Sequence, residues 1–233
     1  MAEHSKRCVD SNRFADSAGC FHSAWCALVR HLFFAPDFSS QLRTHLPRTV
    51  KATAFNRMIL LVGCGRRPSE PGLVRLDRSS EVQPDIVWDL DEFPYPLEDS
   101  SFTTIECMDV IEHLNNIPRV MDEFHRILEP DGVLRITTPH FSSANSFVDP
   151  THRWHLSYFS FDYFCGAHEP SYYSTARYRM RSRNIQFAGG RLTRSIVSRL
   201  ANRFPESYEK RFAWMVPAWF LDFELEAIKQ GAT

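Results

Sequence analysis

The sequence predicts an α/β domain built on a mostly parallel sheet, and three observations carry that prediction. Short apolar runs bounded by turn residues recur at 57–62, 73–77, 86–88, 103–108 and 132–137, each of strand length. Between the last two, Ile117, Val120, Met121, Phe124, Ile127 and Leu128 fall on one face of a helix. Strand, helix, strand at that spacing is a βαβ unit, and such units build parallel sheets.

The elements follow in order. Residues 1–22 are polar and irregular. Trp25, Leu28, Val29, Leu32 and Phe33 repeat at helical spacing over 23–34, and Pro36 ends the run. A second short helix runs from Ser39 or Ser40 to before Pro47. The first strand breaks at Gly63 and Gly65, and the second ends in Asp77. The loop from Gly63 to Gly72 is ten residues long, near the lower limit for a parallel crossover, and Arg78 to Asp85 is equally short. Both crossovers are therefore expected as turns, with the 23–34 helix covering the sheet face left bare. "EPDG" stops the helix before the fifth strand. "YRMRSRNIQFA" reads as a strand, 192–215 as one or two helices, and "FLDFELEAIK" as the seventh strand. Residues 1–50 form a helical extension in this reading and 51–233 the main domain, with an insert over about 139–176.

The chain has 233 residues, 43% of them hydrophobic, which suits one globular domain with a small appendage. It holds no run of eighteen apolar residues, so no membrane span is predicted. "MAEHSKRCVD" lacks the order of a signal peptide, and no cysteines form a CxxC pair. A cytoplasmic protein with reduced thiols is the expectation. Nothing in the sequence sets the oligomeric state.

A parallel sheet binds its ligand at the carboxyl ends of its strands. Gly63 and Gly65 stand there, where glycine lets the backbone approach a ligand. Asp77 ends the next strand, where a carboxylate can accept ribose hydroxyls. A dinucleotide site is disfavoured, because Pro68 replaces the third glycine of GxGxxG and Asp77 follows Gly65 by only 12 residues. A smaller nucleoside ligand fits better.

The downstream segments "DIVWDLDEFPYPLEDSSFTTIECMDVIEHL" and "VMDEFHRILEPDGVLRITTPH", following "LVGCG", resemble the class I S-adenosylmethionine-dependent methyltransferases. The likeness is to their small bacterial members and covers residues 57–165. It implies a Rossmann-like, mostly parallel seven-stranded sheet with helices on both faces, the first two crossover helices being reduced. It also implies S-adenosylmethionine as cofactor. Carried onto this sequence, Gly63, Cys64 and Gly65 would lie under the methionine part, and Asp77 would hold the ribose. Asp89 would bond the adenine amino group with Leu90 against the ring, and Met108 and Asp109 would close over the sulfonium. Leu61 departs from the family, which carries an acid there to anchor the cofactor's amino group.

The segment "PHFSSANSFVDPTHRWHLSYFSFDYF" follows the fifth strand and supplies acceptor-side candidates. His140 directly follows the strand. Asp149 and His152 fall together in "DPTH", where the carboxylate can orient the imidazole as a general base. Aromatic residues around them can wall a pocket. Two other readings stand beside this one: a metal set of His140, Asp149, His152 and His155, whose spacing matches no known ligand motif, and a packed lid whose histidines satisfy backbone groups. Glu112 and His113 read as turn or capping residues.

Between Arg177 and Arg211 stand nine arginines and one lysine against two glutamates, yet the net charge is −1. Arg177, Arg179, Arg181 and Arg183 alternate along one strand face, either as a charged edge strand or as a landing strip for an acidic acceptor. The neutral balance speaks against nucleic acid. The expected function is methyl transfer to an O or N atom of a small-molecule or glycan-type acceptor, acidic ones included. Two other classes share these residues: a cofactor-binding partner or sensor without transfer, and an enzyme turning the same cofactor to other chemistry.

Overall fold

The computed structural model describes residues 58–166, 174–189 and 196–229. The expected helix at 23–34 and the boundary near residue 50 lie outside them. Seven strands form one sheet in the order β3-β2-β1-β4-β5-β7-β6. They are β1 (Ile59–Val62), β2 (Leu73–Asp77), β3 (Ile86–Val87), β4 (Phe102–Met108), β5 (Leu128–Pro139), β6 (Tyr178–Ile185) and β7 (Phe220–Ala227). β1 through β5 pair in parallel, and β7 runs antiparallel to both β5 and β6. The predicted Rossmann-like architecture is the one observed.

Helix α1 (Ile117–Ile127) makes the crossover from β4 to β5. Asn116 caps it by accepting the Arg119 N–H, and Pro118 sits in the first turn, where no amide is needed. Its stripe of Val120, Met121, Phe124 and Ile127 is wholly buried. Each such side chain contributes about 1.5–3 kcal/mol through burial. The Tyr178 hydroxyl donates to the Met121 carbonyl at 2.9 Å, tying β6 to the same helix.

As expected, no full helix fits between β1 and β2, and a single 3-10 turn (Ser80–Val82) lies between β2 and β3. β1 shows the result. Leu60 and Val62 join the large core that includes α1, while among the described residues Leu61 on the other face clusters with Cys64 and Leu73, with Ile59 and Val82 alongside.

"EPDG" does not separate helix from strand as expected. β5 starts at Leu128, opposite Phe102, and the register then shifts so that Thr104 faces Val133. The residues between bulge, and Asp131 takes φ 61°. Near the end of the chain, α3 (Ser198–Arg203) and α4 (Pro205–Arg211) follow a single-turn α2 (Asn145–Val148).

β6 is an edge strand, and its arginines are committed inside the chain. Arg179 and Arg181 both pair with Glu226, and Arg183 pairs with Asp162 at 2.6 Å while lying over the Tyr158 ring. The Arg177 guanidinium donates to the Ser174 and Ala176 carbonyls. These pairings are those expected of a charged edge strand.

Candidate functional site

A cleft of about 340 Å³ opens at the carboxyl ends of β1 through β4. That volume is within the range of small-molecule sites. Gly63, Asp77, Asp89, Leu90 and Asp109 all line it. Gly63 has φ +62°, and a Cβ there would stand 2.3 Å from Val110 Cγ2. Only glycine makes this turn against the neighbouring strand's loop. Gly65 also has a positive φ, but a Cβ there would meet nothing within 4 Å among the described residues.

The carboxylates are fixed by local bonds. Asp77 accepts the Gly65 N–H at 3.0 Å through Oδ2 and the Ser79 N–H at 2.9 Å through Oδ1. Each oxygen keeps a lone pair for a ligand hydroxyl. Asp89 accepts the Asp91 N–H through Oδ1 at 3.0 Å. The Leu90 carbonyl receives the hydroxyl of buried Tyr95 at 2.9 Å, and Asp91 accepts both the N–H and the side-chain amide of Asn115. The two loops that wall the cleft are thereby joined. Asp109 holds φ 56°, which few residues other than glycine adopt. Burial pushes its carboxyl up in pKa, with His152 and His113 acting the other way.

The loop after β5 closes over the turn that follows β4. The Glu112 carbonyl receives the N–H groups of Arg153 (2.8 Å) and Trp154 (3.3 Å), and the Trp154 indole donates to the Leu114 carbonyl at 2.7 Å. Asp149, Thr151 and His113 reach the cleft lining. Asp149 does not pair with His152. It accepts from Thr151 through both the backbone N–H and the hydroxyl, and these bonds hold its carboxyl low. His152 instead donates to the Ser146 carbonyl, and its Nε2 faces Glu112 at 3.9 Å. His140, expected to face the cofactor, is 0% exposed; its ring nitrogens meet Ser142 Oγ and Glu209 Oε1. Burial there leaves it no path to an acceptor.

Cys64 is buried beneath the turn, Met108 is exposed, and neither they nor Gly65, His140 and His152 border the cleft. Residues that the sequence reading passed over do border it: Trp88, Val110, His113 and Thr151 among them. His113 carried a signal in "EHL", just past the carboxyl end of a central strand. Burial, and then His152, lower its pKa. Glu112 is 1% exposed, and burial raises its carboxyl.

The fold is a mostly parallel α/β sheet with a cleft at the carboxyl ends of its strands, the place where such sheets bind ligands. The chain belongs to the methyltransferase domain family, whose model matches residues 25–188. It is a class I methyltransferase with S-adenosylmethionine as its cofactor. The turn at Gly63 and the acids Asp77 and Asp89, all lining the cleft, fit that group. Among solved structures, one similar to this chain is a SAM-dependent methyltransferase from Archaeoglobus fulgidus: 16% identity over 73% of this chain and 86% of that one, TM-score 0.49. The YcgJ protein from Bacillus subtilis matches at 14% identity over 76% and 93%, TM-score 0.46. A phosphoethanolamine N-methyltransferase from Haemonchus contortus, in complex with S-adenosyl-L-methionine, matches at 14% over 77% and 50%, TM-score 0.48. No curated protein matches the chain. Among the described residues, no helix is long and apolar enough to cross a membrane.

Proposed function

We propose that this methyltransferase acts on an O or N atom of a small-molecule or glycan-type acceptor, docked between the cofactor carboxylates and the loop after β5. One observation carries the reading: Asp77, Asp89 and Asp109 share a single cleft with Asp149, Thr151 and His113. Cofactor-side and acceptor-side residues thus border one space.

In this reading Asp77 holds the ribose hydroxyls and Asp89 the adenine amino group, while Leu90 packs against the ring. Asp109 stands at the reacting end. When bound, the cofactor supplies a methyl group already activated by its sulfonium. The protein's task is then alignment, which contributes about 7–11 kcal/mol in well-oriented systems. An O–H or N–H acceptor must also shed a proton. His113 is the imidazole that lines the cleft beside that acceptor, and burial lowers its pKa. Asp149 orders that ring through Thr151, in place of the direct contact with His152 that the sequence implied. His140 has a packing role.

Incubation of the protein with methyl-tritiated cofactor and a fractionated cell extract tests the reading. Label in a low-mass or glycan fraction supports it. Label confined to protein or nucleic acid, or no transfer at all, refutes it.

A further inference from the structure

We propose that Glu112, His113 and His152 form a binding site for a first-row divalent metal ion such as Zn2+, Fe2+ or Co2+. One ligand atom from each lies within 4.8 Å of the others. The case rests on where the protons are. Glu112 is 1% exposed; its Oε2 accepts the Thr138 hydroxyl at 3.1 Å, while its Oε1 has no hydrogen-bond partner among the described residues. A buried carboxylate oxygen left bare is costly, so the fold retains it for something.

Both imidazoles turn lone pairs toward that oxygen. The Thr151 hydroxyl gives its single proton to Asp149 at 2.7 Å, so at 2.9 Å it must accept from His113 Nδ1–H. His113 Nε2 is then unprotonated. His152 Nδ1 lies 3.2 Å from the Ser146 carbonyl, which can only accept, so the neutral tautomer carries its proton on Nδ1 and its lone pair on Nε2. With both rings in these neutral tautomers and Glu112 ionised, two nitrogen lone pairs and one carboxylate oxygen face one another. A proton on His152 would not join the pair, because the 3.9 Å gap to Glu112 exceeds hydrogen-bond reach. A metal ion would satisfy all three donors.

The donor set selects the ion. Two imidazoles and a carboxylate suit zinc, iron and cobalt, whereas magnesium and calcium want all-oxygen shells. Around a tetrahedral ion the donors would stand about 3.3 Å apart, so closing the cluster needs only side-chain shifts of under about 1 Å. The relay Asp149–Thr151–His113 is the outer shell that orients metal-bound imidazoles. His113 also lines the cofactor cleft, so the ion's open positions would face an acceptor there and weaken its O–H bond. That last use rests on the proposed methyl transfer; the site itself does not.

The test is titration of chelator-treated full-length protein with Co2+, followed by visible absorption and calorimetry. One equivalent per chain is expected, with ligand-field bands and no near-ultraviolet sulfur-to-cobalt band. Thr151→Val should weaken binding about 10–100-fold, with every ligand still in place. Glu112→Gln and His152→Ala should weaken it at least as much, and His155→Ala should leave it unchanged. Thr151 is exposed, so its variant decides the matter even if the buried Glu112→Gln does not fold, as read by circular dichroism. No stoichiometric uptake by the wild type, a sulfur band, or affinity unmoved by Thr151→Val would overturn the proposal. Cobalt uptake without any methyl transfer would instead refute the functional reading and leave the site standing.

Discussion

Replacing Gly63 by alanine tests the turn on which the cleft is built. The residue has φ +62°, and a left-handed conformation costs a side-chain-bearing residue about 1–2 kcal/mol. The new Cβ would also stand 2.3 Å from Val110 Cγ2, far inside contact distance. Relieving such an overlap costs about 1–3 kcal/mol more. Gly63→Ala should therefore destabilise the domain by about 2–5 kcal/mol. Gly65→Ala, with φ +50° but open space around its Cβ, should pay only the conformational part, about 1–2 kcal/mol. Urea unfolding of both variants reads the difference directly. Adding Val110→Ala to Gly63→Ala should return the steric share as a coupling of about 1–3 kcal/mol. Equal losses for the two glycines, or no coupling with Val110, would refute the reasoning.

Further outcomes follow from the same geometry. Asp77→Ala should weaken cofactor binding by about 1–3 kcal/mol, the cost of stranding ribose hydroxyls, as read by calorimetry. His140→Ala should lower the melting temperature, because it opens a cavity in the core and removes one hydrogen bond each from Ser142 and Glu209, yet leave cofactor affinity unchanged. Burial raises the Cys165 thiol from 9.0 to about 11, with Asp162 adding to the shift. The folded state thus holds that proton longer than the unfolded chain. Its contribution is full below pH 9 and is lost as pH rises to about 11, so Cys165→Ala should flatten the stability profile in that window.

The sheet and the cofactor corner were legible because their signals are local. Gly63, Asp77 and Asp89 each mark the end of an apolar run, and one family's motif order fixes how those ends meet. The acceptor side was not legible, because it is assembled from a distance. Position alone put His140 at the cleft, but Glu209 of α4, 69 positions on, holds its side chain in the core. Chain proximity paired Asp149 with His152, whereas the loop's hydrogen bonds to Glu112 turn His152 inward and hand Asp149 to Thr151. The alternation of the β6 arginines was visible; their partners Glu226 and Asp162 lie on elements that no spacing rule connects. "EPDG" carries the signature of a helix stop, and a tertiary pairing with Phe102 draws it into the sheet instead.

The central claim is that the cleft at Gly63, Asp77 and Asp89 is a site for S-adenosylmethionine. Calorimetric titration of the purified protein with S-adenosylmethionine and, separately, with NAD measures it most directly. The sulfonium cofactor should bind at one site per chain with no comparable uptake of NAD, and binding of NAD without binding of S-adenosylmethionine would contradict the account.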